Sequence, residues 1–169
     1  MAMVANLALC GAVSAQTNED PLRQKAIKAK YRVDQLRAKF SLYKELASAG
    51  ESESKKLVET TNGSISKELP NALKIYFDGR LASLHGMSAD LEGINSNRRA
   101  GDLINLGDDL LKSDYKRARE FYEKSFEQYE AAYKFWDKAG GYYYEASWAF
   151  VLAIRSLTSI KSERTFDLP

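Results

Sequence analysis

Four fragments from the last third of the chain decide how it folds. They are Leu103-Ile104-Asn105-Leu106-Gly107, Asp114-Tyr115-Lys116-Arg117-Ala118, Phe121-Tyr122-Glu123-Lys124-Ser125 and Gly140-Gly141-Tyr142-Tyr143-Tyr144-Glu145-Ala146. Between them Ala118, Tyr122, Ser125, Tyr129, Ala132 and Trp136 recur in steps of four and three. That spacing puts them on one face of a helix, a face widened by Phe121, Phe126, Tyr133 and Phe135. A helix is therefore expected over residues 115–138, ended by Gly140-Gly141. Another is expected over residues 143–160, with Ala146, Ala149, Phe150, Ala153, Leu157 and Ile160 inward. A shorter one, residues 102–112, would bury Leu103, Leu106 and Leu110.

Working outward, Asp20-Pro21 is a strong helix start: a carboxylate that caps free N–H groups, then Pro where no N–H is missed. Leu22, Ala26, Ala29, Val33, Leu36, Phe40, Tyr43 and Ala47 then follow in steps of four and three, a coiled-coil-like seam. Gly50 is expected to close this long amphipathic helix, within a segment spanning residues 16–50. Residues 51–66, rich in Ser, Glu, Thr, Asn and Gly, read as a polar linker with room for a turn of helix at Lys55 to Glu59. Asn62-Gly63-Ser64 matches a glycosylation acceptor and equally a turn. Pro70 suits the first turn of a further helix carrying Leu73, Phe77, Leu81, Leu84, Met87, Leu91 and Ile94. Within it Gly79, Gly86 and Gly93 recur seven apart. Each costs about 1 kcal/mol against Ala, which reads either as a weak helix or as room for a close neighbour. Residues 94–101 read as a connector and residues 161–169 as a tail.

With three prolines in 169 residues the expected class is all-α. Asn-Leu-Gly on one helix, Asp-Tyr at a turn, then small and aromatic residues four apart resemble a tetratricopeptide repeat. Gly107, Ala118 and Ser125 match its small positions, and Tyr115 and Tyr122 its aromatic ones. In a second unit Gly141, Tyr143, Ala146, Phe150 and Ala153 match equivalent places. Residues 129–154 look like the longer-helix form of kinesin light chain. The resemblance implies antiparallel helical hairpins over residues 67–160, preceded by the long heptad-patterned helix, and a protein that works by presenting a surface to other proteins. The step from Ala118 to Ala146 is 28 residues, where this repeat has roughly 34.

The net charge of +2 gives no global reason for nucleic acid or an acidic substrate. Residues 1–15 are uncharged, mostly apolar and end Val13-Ser14-Ala15. They have the shape of a signal peptide's apolar core and cleavage site, so a secreted or periplasmic location of bacterial type is expected. A buried N-terminal helix is the other reading. Cys10 is the only cysteine, so a mature chain starting at Gln16 would carry no disulfide.

Little in the chain suggests chemistry. His85 is the sole histidine, and a zinc site or nucleophile–base pair needs convergent partners. Asp102, Asp108, Asp109 and Asp114 could form carboxylate pairs, but Asp102 and Asp114 sit where helices start and cap. The expectation is a non-enzyme with no cofactor and no metal. Two surfaces are candidates for binding. One gathers Trp136, Tyr142, Tyr144 and Trp148 about the double glycine, residue types enriched at hot spots and equally usable as core. The other is the basic face of the first helix (Arg23, Lys25, Lys28, Lys30, Arg32, Arg37, Lys39, Lys44), either solvated or turned to an anionic membrane surface. The expected partner is a protein or peptide, not nucleic acid. The alternative is a structural protein that self-associates through its first helix into a homo-oligomer.

Overall fold

The computed structural model describes residues 20–61 and 66–166, with side chains through residue 162. The expected signal peptide, Cys10 and the Asn62-Gly63-Ser64 site lie outside these residues. The described chain is all-α: α1 (Pro21–Thr61), α2 (Leu69–Leu110) and α3 (Tyr115–Phe166). None of the three is long and apolar enough to cross a membrane.

The helix starts follow their local chemistry. Asp20 Oδ1 accepts from the Leu22 and Arg23 amides at 2.8 and 3.3 Å, with Pro21 in the first turn. Asp114 Oδ1 accepts from the Arg117 amide at 3.0 Å to open α3. The helix ends differ from the sequence-based expectation. Gly50, Gly140 and Gly141 all lie inside helices, residues 51–61 are helical, and residues 94–110 are not a connector and a separate helix but the end of α2.

The reason is a seven-residue phase that these positions do not interrupt. On α3 every residue at steps of four and three from Ala118 to Ile160 is buried. The large members are Tyr122, Tyr129, Trp136, Tyr143, Phe150 and Leu157; between them lie Ala118, Ser125, Ala132, Ala139, Ala146 and Ala153, with Ile160 last. Packing of an unbroken stripe outweighs the roughly 1 kcal/mol that each mid-helix Gly costs. On α1, Ala26, Val33, Phe40, Ala47, Ser54 and Thr61 are likewise buried seven apart. Ser54 and Thr61 satisfy their hydroxyls on the backbone of their own helix, at Gly50 O (2.7 Å) and Leu57 O (2.8 Å). That lets the polar stretch join the seam.

The helices divide between two compact units, Met1–Leu36 with Glu92–Phe135, and Arg37–Leu91 with Trp136–Pro169. Each contains a segment of all three helices packed side by side, a three-helix bundle rather than tetratricopeptide hairpins. In the first unit Lys25 lies over Phe126 and Arg32 over Tyr133. In the second Phe40 meets Trp136 and Tyr143, and Gly50 meets Phe150. The numbers rise together, so α1 and α3 run parallel in each unit. Gly107 against Tyr122 in the first unit, and Gly86 against Tyr143 and Gly79 against Phe150 in the second, show α2 antiparallel to α3.

The inward face of α2 decides between the two readings of its glycines. Ala72, Gly79, Gly86, Gly93, Ala100 and Gly107, seven apart, are buried, with Tyr76, Ser83 and Asp90 beside them. Phe77, Leu81, Leu84, Met87, Leu91 and Ile94 are exposed. Volume decides this. A Cβ on Gly86 would sit 3.0 Å from the Tyr143 ring, and one on Gly79 3.0 Å from that of Phe150. The aromatic knobs of α3 need a partner without side chains, and the glycines supply room for a close neighbour.

Candidate interaction surface

Polar side chains inside each unit are tied to one another. In the first unit Arg23 Nε and Nη2 donate to Asp108 at 2.8 and 2.9 Å, and the Tyr122 hydroxyl donates to Asp108 Oδ1 at 2.7 Å. The Arg23 hydrogen bond holds the Asp108 carboxyl below the usual carboxylate range, and Asp108 in turn raises Arg23. Burial, with Asp108 second, pushes Tyr122 up. Asp20, wholly buried as a side chain, accepts from the Tyr115 hydroxyl at 2.8 Å and pairs with Arg119 at 3.5 Å.

In the second unit Asp90 accepts from Lys44 Nζ at 2.7 Å and from Trp136 Nε1 at 2.9 Å. Beside it the buried Tyr143 hydroxyl meets no hydrogen-bonding protein group. Burial first, and the Asp90 charge second, push its pKa up to about 12. Asp90 was not singled out in the sequence. Its signal was a carboxylate four residues after Gly86 and three before Gly93, on the face that the glycines mark.

The carboxylates thus have separate structural tasks: Asp108 anchors Arg23 and Tyr122, Asp114 caps α3, and Asp102 and Asp109 are exposed. Among the described residues no group of three or more His, Cys, Asp or Glu could hold a metal ion. His85 is exposed, its ring 5.2 Å from that of Tyr142. On the first unit an open depression is lined by Phe126, Glu127, Glu130, Ala131, Lys134 and Phe135, all on α3. Of the basic residues on α1, Arg23, Arg32 and Lys44 are ion-paired, and Lys25 and Arg37 lie over aromatic rings. Much of that charge is used within the fold.

The aromatic candidates divide. Trp136 is fully buried, packed against Phe40 and bonded to Asp90, so it offers no surface. Tyr142 is half-buried beside His85. Tyr144 and Trp148 are 48 and 53 % exposed and meet edge to face at 6.4 Å. Tyr43 of α1 braces Tyr144 at 5.4 Å. Val151 and Leu152 continue the exposed apolar surface along the same helix. Sequence reasoning paired Tyr142 with Tyr144, the two neighbours of Tyr143, beside Trp148; it could not separate them, because the exposure of Tyr142 depends on α2.

Comparison with family models, curated proteins and solved structures finds no match for this chain.

Proposed function

We propose that this chain is a non-enzymatic, extracytoplasmic helical protein that binds an apolar segment of another protein or peptide on the Tyr144–Trp148 surface of its second unit. The observation that carries this reading is the solvent-facing pair itself. The other large aromatics of α3's seam are buried, whereas Tyr144 and Trp148 stand half exposed on the opposite side, with Val151 and Leu152 beside them. Amphipathic rings held by a helix, with Tyr144 braced by Tyr43, lose little entropy on contact and are enriched at hot spots. Export rests on the apolar run ending Val13-Ser14-Ala15, which gives a mature N-terminus at Gln16.

The test is quantitative capture of a partner from the native compartment by wild type and by the Tyr144→Ala/Trp148→Ala double variant. The variant should bind at least about fivefold more weakly while melting within a few degrees of wild type. Equal capture by both would move the surface elsewhere. N-terminal sequencing of the native protein that finds residues 1–15 retained would remove the export half of the proposal.

A further inference from the structure

The outward face of α2 in the second unit carries Phe77, Leu81, Leu84, Met87 and Leu91, each between 51 and 61 % exposed. Among the described residues nothing in the unit covers them. There α1 reaches α2 through ion pairs, Lys44 with Asp90 and Arg80 with Glu51 at 3.1 Å. Those contacts hold α1 to one side and leave the apolar stripe open. The basic seam-bearing α1 is itself occupied, since Phe40 and Ala47 are buried in the same unit. Self-association through α1, the alternative raised by the sequence, would have to break that packing. Pairing along α2 would not.

The spacing of the stripe names its occupant. From Phe77 the steps are four, three, three and four, the same read in either direction about Leu84. A two-fold axis perpendicular to α2 at Leu84 therefore sets Leu84 against its own copy. It sets Phe77 against the second copy's Leu91, and Leu81 in one layer with the second copy's Met87. An isologous pairing about that axis therefore brings apolar side chains against apolar side chains in each of these layers. The area agrees. Five half-exposed large side chains present on the order of 500 Å² of apolar surface, at the upper end for a free monomer. With flanking Lys74, Arg80 and Ser88 the covered surface approaches the roughly 800 Å² per partner of a standard interface.

We infer that two copies of this chain pair antiparallel along the outer face of α2, across a two-fold axis at Leu84. The inference stands apart from the Tyr144–Trp148 surface, which lies on α3.

The test is sedimentation equilibrium of the full chain through the micromolar range. Wild type should dimerise, and Leu84→Glu, which places two carboxylates on the axis, should raise the dissociation constant about thirtyfold or more. Its circular dichroism should be unchanged, because Leu84 is more than half exposed in the single chain. In a Cys10→Ser background, Leu84→Cys should form a disulfide-linked dimer on mild oxidation and Leu152→Cys should not. A monomer at every concentration would overturn the inference. So would a dimer unaffected by Leu84→Glu, or one abolished by Trp148→Ala, which would place association on the α3 surface. Binding of some other protein to α2 with no self-association would also overturn it.

Discussion

Replacing Gly107 by Ala tests the packing logic of α2 most directly, because propensity and packing pull in opposite directions. Ala favours a helix interior over Gly by about 1 kcal/mol. At Gly107, however, the new Cβ would lie 2.5 Å from Tyr122 Cε1, 2.8 Å from Cδ1 and 3.0 Å from Cζ. Carbon atoms rest near 3.5–4.0 Å, so the ring must withdraw by about 1 Å. It has little freedom to do so. Tyr122 is wholly buried, and its hydroxyl holds Asp108, which also takes both Arg23 donors. Overpacking of this kind costs about 1–3 kcal/mol, and loss of a hydrogen bond to a charged group adds about 1.5–3. Against the propensity gain, the net expectation is a loss of about 1.5–5 kcal/mol, or roughly 3–20 °C in melting temperature for a chain of this size. Gly141→Ala is the control. It is exposed and its added Cβ meets nothing within 4 Å, so the same substitution should stabilise by up to about 1 kcal/mol. Urea and thermal unfolding followed by circular dichroism will give both signs. If Gly107→Ala stabilises as much as Gly141→Ala does, the claim that small residues on α2 are required by the aromatics of α3 is wrong.

Phe40→Ala removes a buried ring from between Trp136 and Tyr143 and should cost about 3–5 kcal/mol in urea unfolding; a loss below 1 would mean that α1 is not part of the core. Tyr143→Phe deletes a buried hydroxyl that has no protein partner, and should leave stability unchanged or raise it by up to about 1–3 kcal/mol. Because the folded Tyr143 pKa is raised to about 12, its stabilising contribution is complete below pH 10 and is lost as pH climbs toward 12; an alkaline unfolding midpoint that does not move upward in Tyr143→Phe would refute that assignment. The depressed Asp108 carboxyl works at the other end: its contribution is complete above about pH 4 and is lost as acid protonates it. Asp108→Asn should therefore flatten the acid limb of a stability–pH curve, and an unchanged limb would count against the Arg23–Asp108–Tyr122 linkage.

The parts of this fold legible in the sequence were those set by local rules. Asp20-Pro21, the first-turn Pro70, the capping Asp114 and the four-three stripes of α1 and α3 all lie where their chemistry indicates. The missed parts were set by tertiary context. Gly50 and Gly140-Gly141 looked like helix ends because glycine is poor in helices. Gly50 is instead the point where α1 meets Phe150, and a Cβ at Gly140 would come within 3.2 Å of that of Phe40. The step of 28 residues from Ala118 to Ala146 was a short tetratricopeptide interval; it is four heptads, and every seventh residue between them is buried. Of the candidate surface, the α3 periodicity alone showed only that Tyr142 or Tyr144 must turn outward beside Trp148. The fate of Tyr142 depended on knowing which helix lay beside it.

The orientation of α2 shows why hydrophobicity alone misreads such a helix. Its most apolar stripe, Phe77 to Ile94, is exposed, whereas Ala72, Ser83 and Ala89 are buried and the glycines lie against aromatic rings. The interior had already been filled by α3, whose seam alternates rings with alanines. A facing helix can come close only if it brings almost no volume, and close approach is what buries Tyr122, Tyr143 and Phe150 almost completely. Turning Leu84 and Leu91 inward would hold the helices apart and uncover those rings, exchanging larger buried surfaces for smaller ones. The large residues of α2 are therefore surplus to this chain's own core. Singly they would need no explanation. Five spaced symmetrically along one face, open among the described residues, are the surface that the proposed pairing of two copies would bury.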